Sequence, residues 1–240
     1  MGKLSGVTIL FDLDGTLVET APDIIAVLNM MLEARGHPTA PVSAARHLVG
    51  HGALALLRRG FADAGAAWDE ADAPALLDQF LTLYLGRIAD ESHVYEGLEN
   101  ALDTLAAEGA ILAVATNKPT NLSVALIEAL GLTHRFAAIV GPDKVSARKP
   151  SGAHLIEATR MAGGDPGRCI MVGDSATDVG AAKDARMPCI VVSFGYTEIA
   201  PQDLGGHALI DAFAELPGAI DRIVGEMVDA TGIEPVTPSV

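Results

Sequence analysis

Short, uninterrupted apolar segments recur along the chain, and helix-like segments separate them. Runs of four or five apolar residues are typical of strands that are buried on both faces of a parallel sheet. The predicted strands span 7–11, 111–115, 137–140, 169–172 and 189–192, and the predicted helices span 98–108, 121–130, 153–161 and 177–185. Strands that alternate with helices predict an α/β domain whose parallel sheet is covered by helices.

The segment from 19 to 89 departs from this alternation. It contains no clear strand and is rich in Ala and Leu, with predicted helices at 23–34, 43–48, 53–64 and 73–88. It is far longer than an ordinary crossover between two strands. We therefore expect a core of residues 1–18 and 90–228, a helical insert of residues 19–89, and a flexible tail of residues 229–240.

The charge balance narrows the range of partners. The chain has 240 residues, of which 50% are hydrophobic, and 16 Lys and Arg stand against 31 Asp and Glu, a formal net charge of −15 at pH 7. Nucleic acids and anionic membranes require basic surfaces, so we expect neither as a partner. A small anionic substrate stays possible, because a bound cation and a few donors dominate the potential of a single pocket.

Cysteine usage and hydropathy predict a cytoplasmic protein. Cys169 and Cys189 each begin a predicted strand, which favours two buried free thiols over a disulfide and fits a reducing compartment. No apolar run approaches the ~20 residues of a membrane-spanning helix. The N-terminal residues lack the apolar stretch of a signal peptide.

The first predicted strand leads into two aspartates, Asp12 and Asp14, which are followed by Gly15 and Thr16. Residues two apart in a strand point to the same side, and ligands of parallel sheets bind at the carboxyl ends of the strands. Two carboxylates at that edge are suited to hold a hard cation such as Mg²⁺, or to attack an electrophile covalently. The alternative interpretation is an acidic turn after a strand.

Three further segments place polar residues at the ends of predicted strands. Thr116 and Asn117 end the second strand and are suited to bind an oxyanion, although both are also common helix caps. Lys149 precedes a predicted helix and offers a compact positive charge to a phosphate. Asp174 follows an apolar strand and would add a metal ligand, with Asp178 one helical turn later on the same side.

In this order, the four segments resemble the motifs of the haloacid dehalogenase superfamily, and most closely those of its phosphoglycolate phosphatases. The resemblance includes Phe11 to Val18, the segment 49–53, Thr116 to Pro119, and Phe194-Gly195-Tyr196. It implies a Rossmann-like parallel sheet core with an inserted helical cap domain. It also implies Mg²⁺-dependent hydrolysis of a small phosphorylated metabolite, with 2-phosphoglycolate as the expected substrate, by a monomer or a homodimer.

The resemblance also assigns roles to individual residues. Asp12 would be the nucleophile that forms an aspartyl-phosphate, and Asp14 would protonate the leaving group and then activate water. Asp12, the backbone carbonyl of Asp14, and Asp174 would hold Mg²⁺. Thr116, Asn117 and Lys149 would bind the phosphoryl group, and Asp178 would orient the metal site or Lys149. In the cap, His51 and Arg58 are expected to contribute to specificity.

Several alternatives remain open at the level of sequence. A phosphomutase would use the same aspartate pair, and phosphatases of this kind act on sugar phosphates, nucleotides or pyrophosphate. A dehalogenase does not need Asp14, and a phosphonate hydrolase of this superfamily would use a cap lysine, whereas residues 19–85 contain no Lys. A binding module without activity would be expected to lose Asp12 or Asp14, and both are present.

Overall fold

A computed structural model describes residues 2–45, 48–49 and 52–231. Its strands are β1 Thr8–Phe11, β2 Val18–Glu19, β3 His93–Val94, β4 Ile111–Ala115, β5 Ala138–Val140, β6 Cys169–Gly173, β7 Cys189–Val192 and β8 Ala208–Ile210. Six of them form one sheet in the order β5-β4-β1-β6-β7-β8, and all neighbours are parallel. The predicted parallel α/β fold is confirmed, while β8 is a strand that the sequence analysis did not predict.

The helices follow the predicted segments closely up to α8. They are α1 Ala21–Glu33, α2 Val42–Ala45, α3 Ala53–Asp63, α4 Ala73–Leu85, α5 Leu98–Ala107, α6 Thr120–Ala129, α7 Gly152–Met161, α8 Ala176–Ala185 and α9 Leu216–Thr231. Helix α9 was not predicted, and it continues through residues 229–231, the start of the predicted tail. Residues 232–240 lie outside the described part of the chain.

The sheet is buried on both faces, which explains its uninterrupted apolar strands. Ile9 and Phe11 belong to the apolar layer under α5, α6 and α9. Leu10 lies between them in sequence and points to the opposite layer, under α7 and α8. Because successive strand residues alternate between faces, both faces of β1 are apolar from Ile9 to Phe11.

The strand register brings the predicted site residues to one edge of the sheet. Phe11 lies opposite Val114 of β4 and Val172 of β6. The residues that follow these three strands, Asp12, Thr116 and Asp174, therefore emerge next to each other. The connections on the two sides of β1 run in opposite directions, which opens a crevice at the carboxyl ends of the strands.

Helices α1, α3 and α4 pack around an apolar cluster of their own above this edge. The cluster is centred on Leu28, Leu57, Phe61 and Phe80. Gly60 allows α3 to approach α1, since a Cβ atom there would lie 2.5 Å from Leu28 Cδ2. Leu122 and Tyr196, from the sheet-containing part, join the same cluster, so the helical unit is packed onto the crevice.

Two chain segments connect the helical unit to the sheet, and they are tied to each other. Strands β2 and β3 pair in an antiparallel arrangement, with Val18 opposite Val94. The buried Asp23 carboxylate in the first turn of α1 accepts hydrogen bonds from the Glu91 and Ser92 amides and from the Ser92 hydroxyl, at 2.7–3.2 Å. The two segments by which the chain enters and leaves the helical unit are therefore joined at one place, which we call the hinge.

Within the described residues, no helix has the length and apolar character that crossing a membrane would require.

We expect Asp23→Ala to destabilise the protein by about 2–3 kcal/mol, because it leaves two backbone amides and a hydroxyl without their buried acceptor. Asp63→Ala is the matched control, since Asp63 pairs with Arg59 on the exposed side of α3 and its loss is expected to cost less than about 0.5 kcal/mol. Urea unfolding measures both values. Equal losses in the free energy of unfolding for the two substitutions would show that the Asp23 hydrogen bonds do not stabilise this connection.

Candidate active site

Asp12 is the residue at the centre of the site. It follows β1 directly, and its amide donates to the Val172 carbonyl at 2.9 Å. Its Oδ1 atom accepts a hydrogen bond from the Leu13 amide at 2.7 Å and lies 3.0 Å from Lys149 Nζ. Among the described residues, no contact of Oδ2 is recorded, so this oxygen is available to a ligand.

Lys149 is buried between two carboxylates. Its side chain is 1% exposed, and Nζ lies 3.0 Å from Asp12 Oδ1 and 2.7 Å from Asp178 Oδ1. Burial by itself lowers the pKa of Lys149, but the charges of Asp12 and Asp178 outweigh burial and raise the pKa above its usual value. Lys149 is therefore a fixed positive charge beside the Asp12 carboxylate.

A buried histidine holds the backbone of Lys149. His154 Nδ1 accepts the Lys149 amide at 3.3 Å, and Nε2 lies 3.1 Å from the Val140 carbonyl. Burial, followed by the positive charge of Lys149, lowers the pKa of His154 to about 4. The neutral ring thus accepts at Nδ1 and donates at Nε2, a structural role that the sequence analysis did not assign.

Asp174 and Asp178 are placed by the junction between β6 and α8. Asp178 Oδ2 accepts from the amides of Asp174 and Ser175 and from the Ser175 hydroxyl, which forms a capping box at the start of α8. Asp174 accepts from the Thr16 hydroxyl at 3.0 Å and from the Tyr196 amide at 2.7 Å. Gly15 has φ +80°, and a Cβ atom there would lie 2.6 Å from Asp174 Oδ2, so a side chain at this position would collide with the carboxylate.

The three carboxylates are close enough to share a cation. One oxygen each of Asp12, Asp174 and Asp178 lie within 4.8 Å of one another. The two oxygens of Asp178 already accept hydrogen bonds from Lys149 and from the capping-box residue Ser175. Asp12 and Asp174 are therefore the carboxylates that are able to coordinate a cation. Carboxylate oxygens are preferred by hard cations, so the donor set fits a divalent ion of this type.

The electrostatics of the cluster agree with this fit. Burial, followed by the negative charges of Asp178 and Asp12, raises the pKa of Asp174 to about 8. Burial also raises the pKa of Asp12 to about 6, although Lys149 opposes the shift. The protein alone does not neutralise these carboxylates fully, and a divalent cation would favour their ionised forms.

The end of β4 supplies the predicted phosphate-binding groups. Asn117 Nδ2 donates to the Lys149 carbonyl at 3.0 Å, which links the two segments. Its Oδ1 atom is buried and has no hydrogen-bond partner within the part of the chain that the structure describes. The Thr116 hydroxyl accepts the Lys118 amide at 3.2 Å and retains its own hydrogen for a ligand. These groups and Lys149 surround the exposed side of Asp12.

Asp14 forms an ion pair that the sequence analysis did not anticipate. Lys118 Nζ lies 2.9 and 3.2 Å from the two oxygens of Asp14 and 2.7 Å from the hydroxyl of Tyr84 in α4. Lys118 belongs to the quoted segment after β4, but no role was assigned to it there. Tyr84 carried no signal in the sequence beyond its position in a predicted helix.

An open cavity lies between the helical unit and the end of the sheet, and we call it the cap-side cavity. Asp12, Asp14, Thr116 and Asn117 form its floor. Its wall is largely apolar, and the residues that form it include Ile24, Leu56, Phe80, Leu81 and Leu122. A second cavity on the other side of Asp12 is lined by Lys149, Asp174 and Tyr196.

Of the two residues in the insert that are predicted to set specificity, the structure describes Arg58 but not His51. Arg58 is half-exposed, pairs with Glu70 at 2.7 Å and lies over the ring of Trp68. It is not among the described residues that line either cavity. His51 lies outside the described residues. Both roles therefore stay predictions.

Comparisons with known proteins agree with the geometry. Residues 7–186 match the model of the haloacid dehalogenase-like hydrolases. The chain is 48% identical to a phosphoglycolate phosphatase of Caulobacter vibrioides, with 90% of this chain and 91% of that protein aligned, and 42% identical to one of Agrobacterium fabrum, with 90% and 94% aligned. The crystal structure of a predicted phosphoglycolate phosphatase from Haemophilus somnus superposes with a TM-score of 0.82 at 29% identity, covering 90% of this chain and 98% of that one. These findings confirm the predicted resemblance and the predicted enzyme class.

We expect the stability of the metal-free protein to fall as the pH rises. Asp174 has a pKa near 8 when folded and an ordinary value of 3.8 when unfolded. The folded state thus binds the additional proton between these values, and the stabilisation is lost as the pH rises through about 8. Thermal unfolding in chelator between about pH 5 and 9 measures the slope, which Asp174→Asn should reduce and the exposed control Asp63→Asn should not. Parallel profiles of all three proteins would contradict the assignment.

Proposed function

The chain belongs to the haloacid dehalogenase-like hydrolase family, and we propose that it hydrolyses the phosphate monoester 2-phosphoglycolate, using Mg²⁺ and an aspartyl-phosphate intermediate. The observation that carries the proposal is the Asp12 carboxylate, with one oxygen held by Lys149 and the Leu13 amide and the other available at the floor of a cavity. The phosphoglycolate phosphatases among its relatives support the substrate.

In the first step, Oδ2 of Asp12 attacks phosphorus, and the bond between phosphorus and the ester oxygen breaks. Burial raises the pKa of Asp12 only to about 6, so this carboxylate is mostly ionised at neutral pH. Lys149 and the leucine amide hold Oδ1, which fixes the plane of the carboxylate. The nucleophile is therefore oriented before the substrate binds.

Asp14 handles the protons of both steps. It lines the same cavities as Asp12 and is the second aspartate of the pair at the end of β1. In the first step its carboxyl group gives a proton to the departing alkoxide. In the second step its carboxylate takes a proton from water as the water oxygen attacks phosphorus, and the bond from phosphorus to Asp12 breaks. Inorganic phosphate and the free enzyme result.

Side chains that the fold already holds in position would stabilise the negative charge on the phosphoryl oxygens. Lys149 provides a buried positive charge, and Thr116 and Asn117 provide neutral donors on the neighbouring strand end. Preorganised donors of this kind stabilise charge in the transition state without reorganisation.

Asp12 and Asp174 would hold Mg²⁺, with the Asp14 carbonyl as a third ligand. When bound, the ion would neutralise negative charge on the phosphoryl group and on the attacking carboxylate. Asp178 would act by holding Lys149 through Oδ1 and the backbone of Asp174 through Oδ2.

We infer a cytoplasmic location and a small phosphorylated metabolite as the partner. Cys169 and Cys189 are free and buried, which fits a reducing compartment. The phosphoglycolate phosphatases among the relatives support a small phosphorylated metabolite.

We expect Asp12→Asn to lower kcat by at least about 10³-fold while the protein stays folded, because the amide has nearly the same shape but is a poor nucleophile. Steady-state hydrolysis of 2-phosphoglycolate measures the loss, and circular dichroism checks the fold. Asp63→Asn, an exposed substitution of the same kind, should retain full activity. Substantial activity of a folded Asp12→Asn protein would rule out the covalent mechanism.

We expect hydrolysis to require Mg²⁺ and to be inhibited by Ca²⁺, which prefers more ligands and a looser geometry. Mg²⁺ should also raise the melting temperature of the chelator-treated protein, and Asp174→Asn should weaken this shift. The thermal measurement is independent of turnover. Full activity in excess chelator would contradict the metal assignment.

A further inference from the structure

Lys118 is the one cation among the described residues that line the cap-side cavity. The other walls are apolar, apart from the Asp12 and Asp14 carboxylates, Thr116, Asn117 and the hydroxyl of Tyr84. Among the described residues, Lys118 is therefore the one source of positive charge for a ligand that occupies this cavity beyond the phosphoryl group.

The ammonium of Lys118 is buried and held from two sides. Its side chain is 5% exposed, and Nζ contacts both oxygens of Asp14. On the side of the helical unit, Nζ lies 2.7 Å from the Tyr84 hydroxyl and 4.4 Å from the centre of the Tyr84 ring. Burial lowers the pKa of Lys118, but Asp14 and Tyr84 outweigh burial and raise it, so the group is charged.

The Lys118 ammonium and the Tyr84 hydroxyl each retain one hydrogen that can be donated to a ligand. An ammonium has three N–H donors, and Asp14 and Tyr84 take two of them when one N–H is shared between the Asp14 oxygens. Tyr84 accepts from Lys118, and within the described part of the chain no acceptor is recorded for its own hydroxyl hydrogen. Burial raises the pKa of Tyr84 to about 12, so that hydrogen is present at neutral pH.

We propose that Lys118 and Tyr84 together bind a carboxylate on the leaving group and so select phosphate esters of α-hydroxy acids. The inference rests on the proposed function, in which Asp14 protonates the ester oxygen. In such an ester, the carboxylate is attached to the carbon that carries this oxygen. The cation that recognises the carboxylate must therefore stand beside Asp14, which is where Lys118 lies.

The two donors come from different parts of the protein. Lys118 follows β4, whereas Tyr84 belongs to α4 of the helical unit. Their direct contact at 2.7 Å already links the helical unit to the sheet, and a carboxylate bound by both would add a second link across the cavity.

The test compares 2-phosphoglycolate with 2-hydroxyethyl phosphate, which replaces the carboxylate by a neutral hydroxymethyl group. The measured quantity is the ratio of kcat/KM for the two esters. Lys118→Met should lower this ratio about 10- to 100-fold, the size expected for one charge-assisted contact, mainly by raising KM for 2-phosphoglycolate. Lys118→Arg should restore part of the ratio. Tyr84→Phe should lower it about 3- to 10-fold, and the exposed control Lys144→Met should leave it unchanged.

A second measurement reports binding of the carboxylate alone. Inhibition by glycolate should weaken in Lys118→Met and in Tyr84→Phe, whereas inhibition by inorganic phosphate should stay the same. Equal losses for both esters would overturn the proposal, because Lys118 would then only position Asp14. If Lys118→Met does not fold, an unchanged ratio and unchanged glycolate inhibition in Tyr84→Phe would overturn the joint site. A wild-type enzyme that hydrolyses both esters without preference would instead overturn the substrate in the proposed function.

Discussion

The buried ammonium of Lys149 is the interaction on which the rest of the site depends. A charge that is 1% exposed is stable only when it is paired, and the pairing determines the positions of both partners. This contact fixes the orientation of Asp12, the proposed nucleophile, and the contact with Asp178 positions the residue that holds the Asp174 backbone. His154 holds the Lys149 amide in turn, so the cation is itself immobile. One charge thus orders the proposed nucleophile Asp12 and, through Asp178, the Asp174 carboxylate that would hold the metal.

The sheet makes this arrangement possible because β1 lies between β4 and β6 in matching register. The motifs are distant in sequence, yet each follows a strand that ends at the same level. This explains why sequence alone predicted the grouping of Asp12, Thr116 and Asp174: strand ends are recognisable, and parallel pairing brings them to one edge. The strand β8 and the helix α9 were missed because β8 is short and partly exposed, and because α9 lies beyond the motif-bearing segments.

Contacts between the helical unit and the sheet were beyond sequence reasoning for a different reason. Helix periodicity shows which face of a helix is apolar, but not which residue of another element meets it. Tyr84 reads as one more core position of α4, and Lys118 as one more polar residue in a loop. Conversely, Arg58 has the charge expected of a specificity residue, but it pairs with Glu70 on the surface of the helical unit. Residue type suggested a role for Arg58 and none for Lys118, and only the packing of α4 over the end of β4 shows that Lys118 is the cation among the described residues that line the cavity.

The hinge and the site are linked through Tyr196. Its amide donates to Asp174, while its hydroxyl accepts from the Thr20 and Ala21 amides at the start of α1 and donates to Glu19 of β2. A single residue, through its backbone amide and its hydroxyl, therefore joins the proposed metal ligand to the segment that connects β2 to α1. Because the Asp23 contacts tie the second connecting segment to the first, a displacement of the helical unit would act on both. The start of α1 and the Asp174 carboxylate are thus held by hydrogen bonds of the same residue, so the packing of the helical unit and the geometry of the carboxylate cluster share one anchor.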